Sequence, residues 1–167
     1  MYEIGTEVMY GVSGVCKIVD IRNEKFSDEE KLYYVLSPIS DMDASIYVPV
    51  NNPKSVSRMK EVLSKEEVYE LIHSMPEREI YNEENNKVRK ELFTHILKEG
   101  NRIELVKLIK TVYYEKKQRE QQGKKIWTAD ETALKKAEKM LYEEIAAVLD
   151  LGYDEVLPFI KSELAHA

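Results

Sequence analysis

The fold of the first part of the chain is decided by a run rich in β-branched residues, Val15-Cys16-Lys17-Ile18-Val19-Asp20-Ile21. Similar but shorter runs lie at 8–10, 32–36 and 46–50, separated by polar or glycine-containing turns. Short runs with this spacing are typical of strands. Four or five of them predict a small, strongly bent antiparallel sheet or an SH3-like barrel. Because proline has no N–H to donate, Pro49 is expected at a sheet edge or a strand end.

From Ser64 onward the apolar residues recur with helical spacing, so the remainder is predicted to be an all-helical bundle. Capping boxes are predicted at 64–67 and 128–131, and further helices at 83–98 and from Asn101. A last helix is expected from Asp154, with Pro158 tolerated only near its first turn. Gly100 and Gly123 are the expected helix ends.

These patterns predict an α+β protein with two domains. A β-rich domain is expected over 1–60, and a helical domain over 78–167. Between them, residues 61–77 are expected to form a bridging helix and a linker, because Met75-Pro76-Glu77-Arg78 interrupts the helical pattern.

The composition supports two modules with different partners. The 167 residues are 43% hydrophobic and 34% charged, with a formal net charge of -6, which argues against a uniformly basic nucleic-acid coat. The charges are unevenly distributed: residues 1–79 carry 9 basic and 15 acidic residues, whereas 98–125 carry 9 basic and 4 acidic ones. This asymmetry indicates an acidic front half and a locally basic back half.

Several classes of protein are disfavoured. The single cysteine, Cys16, excludes an internal disulfide and a cysteine-rich metal site. No secretory leader or spanning apolar run is visible, which favours a reduced, cytoplasmic protein without membrane contact. No nucleotide loop, hydrolase motif or metal-ligand spacing is present, so we expect no enzyme activity, cofactor, metal or small-molecule substrate.

A basic cluster is the clearest candidate binding feature. Lys116, Lys117, Arg119, Lys124 and Lys125 lie at the predicted end of one helix and in its turn. An antiparallel bundle can bring them near a second group at the start of the preceding helix, formed by Lys87, Arg89 and Lys90, and so create a surface for phosphates. The alternative is a solvated face whose cations favour a helix C-terminus.

Two aromatic residues lie close to these cations. Trp127, the only tryptophan, either stacks from an exposed position beside the basic turn or, more commonly for such a residue, packs back onto the bundle. Tyr81 either packs or inserts into a minor groove.

The order of segments resembles the CarD/CdnL family of bacterial transcription regulators. The opening residues 1–15, MYEIGTEVMYGVSGV, are similar to the start of the family's polymerase-interacting domain, which is shared with transcription-repair coupling factor. Residues 33–36 and 46–50 resemble that domain's third and fourth strands. Segments 89–100, 105–113 and 138–144 resemble the family's helical domain.

The resemblance implies a non-enzymatic regulator. A Tudor-like N-terminal domain would bind the β subunit of RNA polymerase. The helical domain would contact promoter DNA at the upstream edge of the transcription bubble, where a tryptophan wedges into the minor groove and stabilises the open complex. Nucleoid association through polymerase would follow. The residues carried over for polymerase are Arg22, Ile46, Tyr47 and Val48; those for DNA are Tyr81, Asn82, Lys87, Arg89, Lys90, Lys124 and Lys125.

The chain departs from the family pattern at two places. Tyr47 stands where the family often has arginine, so the polymerase contact is expected to be more apolar. The wedge tryptophan has no counterpart: Tyr81 is the nearest aromatic residue, and Trp127 lies in another segment. The alternative function is a protein-only adaptor that binds polymerase or another partner without touching DNA.

Overall fold

The computed structural model describes residues 1–166, and their contacts divide the chain between Val62 and Leu63. Unit 1, Met1–Val62, is mainly β, and unit 2, from Leu63 onward, is helical. The predicted α+β class with an N-terminal antiparallel sheet and a C-terminal helical region is confirmed. The helix that was expected to bridge two domains lies in unit 2, where it contacts two other helices of that unit.

Unit 1 is a five-stranded antiparallel sheet with the strand order β4-β3-β2-β1-β5. The strands are β1 Glu7–Tyr10, β2 Val15–Glu24, β3 Lys31–Pro38, β4 Ile46–Pro49 and β5 Met59–Glu61. A single helical turn, α1 Pro53–Val56, connects β4 to β5. Pro49 is the last residue of the edge strand β4, as its missing N–H predicted.

One face of this sheet forms the core of unit 1. The core cluster combines residues from all five strands: Val8, Cys16, Ile18, Tyr34, Leu36, Val48 and Met59. Tyr2 closes it at the N-terminus, because its hydroxyl donates to the carbonyl of Met59 at 3.2 Å and its ring packs edge-on against Tyr34. Since side chains alternate along a strand, the residues between these core positions point to the opposite face.

Over residues 63–166, unit 2 contains five α-helices: α2 Lys65–Ser74, α3 Asn86–Glu99, α4 Arg102–Gln121, α5 Thr128–Leu149 and α6 Tyr153–Ala165. The predicted capping box at Ser64 and Glu67 is present. Asn101 caps α4, and Gly100 ends α3 with the left-handed φ of 68° that glycine adopts readily.

Three expectations about helix ends in unit 2 were wrong. The helix predicted from residue 83 begins at Asn86, because Asn85 supplies the cap by accepting from the N–H groups of Lys87 and Val88. Thr128 is the first residue of α5 rather than its cap, since the backbone of Trp127 occupies the extended cap position and no side chain caps this helix. Pro158 lies inside α6, beyond its first turn, at an exposed position. Its missing N–H removes one hydrogen bond of the helix, which packing of the rest of the helix outweighs.

A buried carboxylate joins three segments of unit 2. Glu144 on α5 is 1% exposed. It accepts from Nε and Nη2 of Arg102 at 2.8 and 2.6 Å and from the N–H of Leu63 at 3.0 Å. Glu144 therefore anchors the first residue of unit 2 and the start of α4 to the C-terminal half of α5.

Candidate functional site

Three aromatic rings pack together on the outer face of the unit 1 sheet. Tyr33 on β3 and Tyr47 on β4 flank Phe26, which lies in the loop between β2 and β3. The ring centroids of Phe26 are 5.2 Å from Tyr33 and 4.9 Å from Tyr47, and all three pairs are edge-to-face. Phe26 is nevertheless 60% exposed. Such an exposed aromatic cluster is typical of a protein-binding surface.

Arg22 completes this cluster, and its register explains why. It lies opposite Tyr33 across the β2–β3 ladder, on the same face. Its Nη2 donates to the Tyr47 hydroxyl at 3.0 Å, and its Cζ lies 5.7 Å from that ring's centroid. Hydrogen bonds to Glu24 and Asp20 raise the pKa of Arg22, so the guanidinium stays charged. We call Arg22, Phe26, Tyr33 and Tyr47 the aromatic face.

The residues that the sequence predicted to bind polymerase lie on both faces of the sheet. Arg22 and Tyr47 belong to the aromatic face. Val48 is fully buried in the core, and Ile46 packs against the same core, so both support the strand from behind. Phe26 was not named, because an isolated aromatic residue in the charged loop 25–30 has no periodic neighbours. Its presence among charged residues was the only available signal.

In unit 2 a polar cleft brings several of the predicted DNA-binding residues together. The cleft has a volume of about 750 Å³. It is lined by Tyr81 and Asn82 from the segment before α3, by Arg89 on α3 and by Arg119 near the end of α4. The start of α3 and the distal end of α4 therefore approach each other.

Arg89 is engaged inside this cleft. It is 6% exposed, and its Nε and Nη2 donate to the Asp130 carboxylate at 3.1 and 2.7 Å. It also donates to Asn86 Oδ1 at 2.7 Å and to the carbonyl of Glu83 at 3.0 Å. The hydrogen bonds that Arg89 donates to Asp130 raise the pKa of Arg89 against the opposing effect of burial. Its donors thus hold the start of α3 to α5 and are not turned outward.

Tyr81 lies along α4 instead of projecting from the unit. Its N–H donates to Thr111 Oγ1 at 2.9 Å, and its hydroxyl donates to the Glu104 carboxylate. The ammonium of Lys107 lies 4.5 Å from the centroid of its ring. Insertion of Tyr81 into a groove would require all three contacts to be given up.

The remaining cations predicted to bind DNA are exposed. Lys87 and Lys90 each follow a residue that lines the cleft, and Lys124 and Lys125 form the turn after α4. Arg119 connects the two groups, because it lines the cleft and its Nη1 donates to the carbonyl of Lys125 at 3.2 Å. We call Lys87, Lys90, Lys124 and Lys125 the basic surface. The cleft itself also contains four carboxylates, those of Glu83, Glu84, Glu115 and Asp130, so phosphates fit its rim better than its interior.

Trp127 is more exposed than the favoured expectation of packing implied. It keeps 47% of its surface accessible at the start of α5, two residues after Lys125. Within residues 1–166, no group of three or more His, Cys, Asp or Glu side chains is arranged to hold a metal ion. Over the same range no helix is long and apolar enough to cross a membrane.

Comparison with known proteins identifies the sheet of unit 1. No curated protein matches the chain. Residues 2–60 match the family model of the CarD-like/TRCF RID domain, a range that covers almost all of unit 1, including the aromatic face. The family of these domains consists of non-catalytic regulators that interact with RNA polymerase. The first unit of this chain is a CarD-like RNA-polymerase-interacting domain.

Proposed function

We propose that this protein is a non-catalytic transcription regulator that binds the β subunit of RNA polymerase through unit 1 and contacts promoter DNA through unit 2. The observation that carries the proposal is the match of residues 2–60 to a polymerase-interacting domain family, on a sheet that displays an exposed aromatic cluster. The DNA contact would lie at the upstream edge of the bubble and would change the lifetime of the open complex.

The aromatic face is the proposed polymerase contact. Large aromatic side chains and arginine are the residues that contribute most to protein interfaces, and Phe26, Tyr47 and Arg22 combine both types. Because β4 is an edge strand, a partner also reaches its outer backbone edge. Tyr47 stands where the family often has a charged arginine. Its apolar ring fits a partner surface with an apolar centre.

A pull-down of bacterial RNA polymerase tests this contact. We expect wild type to retain polymerase and Tyr47→Glu to lose it, with an affinity loss of about 2 kcal/mol or more because a charge is placed in the centre of the interface. Val12→Glu is the matched control, since Val12 is 46% exposed on the turn at the other end of β2. Equal retention by wild type and Tyr47→Glu would show that polymerase binds outside the aromatic face. Loss of binding by Val12→Glu as well would show that the effect is not specific to the aromatic face.

The basic surface is the proposed DNA contact. Lysines contribute a sequence-independent attraction to phosphates, and a domain held at the promoter by polymerase needs little affinity of its own. This suits unit 2, whose residues 80–149 carry only slightly more basic residues (15) than acidic ones (12). Arg89 would position the start of α3, while Lys87 and Lys90 reach phosphates and Asn82 contacts the sugar or base edge beside them.

Reversal of charge at the turn tests the DNA contact. In a polymerase–promoter complex, Lys124→Glu combined with Lys125→Glu should weaken DNA binding and lower the slope of log affinity against log salt by about 2. The control reverses Lys98 and Lys161, which are exposed at the far end of α3 and on α6. An unchanged salt slope in the turn variant would contradict the proposal.

One observation favours the alternative of a protein-only adaptor. Arg89 and Tyr81, two of the residues expected at DNA, are bound inside unit 2. An adaptor predicts polymerase retention that depends on the aromatic face, together with promoter complexes whose salt dependence is identical with and without the protein.

A further inference from the structure

In unit 2 an exposed tryptophan lies close in sequence to two exposed lysines. Trp127, the only tryptophan of the chain, is 47% exposed, although tryptophan is highly buried on average. The side chains of Lys124 and Lys125 are exposed and form no ion pair with any residue in 1–166. A flat apolar ring and two free ammonium groups thus share four consecutive positions.

The backbone that carries these side chains is held in place. The N–H of Lys124 donates to the carbonyl of Arg119 at 2.8 Å, and Arg119 Nη1 returns to the carbonyl of Lys125 at 3.2 Å. Gly123 turns the chain with a left-handed φ of 70°. At the other end, the carbonyl of Trp127 accepts the first hydrogen bond of α5, from Glu131, at 3.0 Å. Because the turn is already ordered, a ligand that binds there loses little conformational entropy.

The local charge is positive but not extreme. Lys116, Lys124 and Lys125 line a hollow of about 420 Å³ beside the turn, together with Glu120 and Glu131. Glu131 also lies 4.0 Å from Lys135 on α5, which partly neutralises it. A ligand that matches these side chains carries negative charges for the lysines and exposes a flat ring beside them for Trp127.

We propose that Trp127 stacks on an unpaired base of single-stranded DNA while Lys124 and Lys125 bind the adjoining phosphates. This inference rests on the proposed function, because it assigns the nucleic-acid contact of unit 2 to a single strand rather than to a duplex. In a duplex the base faces are covered by their neighbours, whereas in a single strand they are free to stack on an aromatic side chain. The contact lies in residues 124–127, a segment that contains neither Tyr81 nor any residue lining the polar cleft.

The emission of the single tryptophan tests the inference directly. Full-length protein is titrated at low salt with a labelled single strand of about 12 nucleotides and with the corresponding duplex. Label anisotropy reports binding, and Trp127 emission reports stacking. We expect the single strand to quench the emission and the duplex to leave it unchanged. Trp127→Ala should weaken single-strand binding by roughly 5- to 150-fold, and Trp127→Phe by less, because the phenyl ring still stacks.

Two further variants separate stacking from charge and from general surface effects. Lys124→Gln combined with Lys125→Gln should weaken binding of both the single strand and the duplex. Tyr153→Ala removes an aromatic side chain of similar exposure (46%) at the start of α6 and should weaken the binding of neither. Circular dichroism confirms that each variant is folded.

The inference is overturned if the single strand binds with unchanged Trp127 emission, if Trp127→Ala keeps wild-type affinity, or if no strand binds at low salt. Failure of the proposed function is recognised separately, by loss of polymerase retention or by a promoter complex whose salt slope the turn lysines do not change.

Discussion

At the scale of single residues, a buried ion pair between Arg89 and Asp130 joins two helices of the proposed DNA-binding unit. Both side chains are almost completely buried, and they join α3 to the first turn of α5. A buried charge that loses its partner is costly, because neither water nor another charge replaces the lost contact. The pair therefore holds the start of α3, which carries Lys87 and Lys90, against the start of α5, which follows the turn of Lys124 and Lys125.

Removal of one partner should destabilise unit 2 strongly. We expect Asp130→Ala to lower the free energy of unfolding by about 3–5 kcal/mol, since it leaves the Arg89 guanidinium buried and unpaired. Replacing both residues by apolar ones of similar size, Arg89→Met with Asp130→Leu, should restore most of that loss. Urea unfolding followed by circular dichroism measures both. If the single and double variants are equally unstable, packing rather than charge accounts for the effect.

At the scale of elements, β4 shows how one short strand serves two purposes. Val48 faces the core and Tyr47 faces outward, because successive side chains of a strand point to opposite faces. Stability and partner binding therefore depend on different residues of the same strand.

These two roles should separate on mutation. Val48→Ala removes buried methyl groups and should lower the free energy of unfolding of unit 1 by about 2 kcal/mol, while the folded variant still retains polymerase. Tyr47→Ala loses its edge-to-face contacts, about 0.5–1.5 kcal/mol, and an exposed hydrogen bond and cation–π contact with Arg22. It should reduce polymerase retention at least tenfold. Thermal unfolding and a titrated pull-down are the measurements. Loss of polymerase binding in folded Val48→Ala would mean that the two faces are not independent.

At the scale of the whole molecule, the proposed mechanism is tethering. Unit 1 supplies the affinity for polymerase and thereby raises the effective concentration of unit 2 at the promoter. The mechanism requires only that both units belong to one chain.

Separation of the units should therefore abolish the promoter effect. We expect a chain starting at Leu63 to leave the lifetime of the open complex unchanged at concentrations where the full chain alters it at least tenfold. Full-length Tyr47→Glu, which keeps both units, should behave like the truncated chain. Open-complex lifetime, measured by competitor challenge, gives the result. Equal effects of the truncated and full chains would rule out tethering.

Much of the fold and part of the candidate site were predictable from local sequence. The strand of residues 15–21, the cap at Ser64 and the glycine end at Gly100 depend on backbone preferences and on neighbours a few positions away. Tyr47 and Arg22 were named from a resemblance to a family, and the turn lysines from their density in the sequence. Local sequence did not predict which residue each side chain contacts.

Those partners come from distant positions, and only the tertiary structure decided them. Arg89 looked like a free cation until Asp130, far along the chain, was found to bind it. Phe26 had no periodic signal, and its role appeared only when β2, β3 and β4 placed it between two tyrosines. By itself the sequence determined which segments are strands and helices and where the charges lie, because those properties are local. Which side chains are buried, paired or exposed was decided by packing, because burial depends on contacts between residues that the sequence separates.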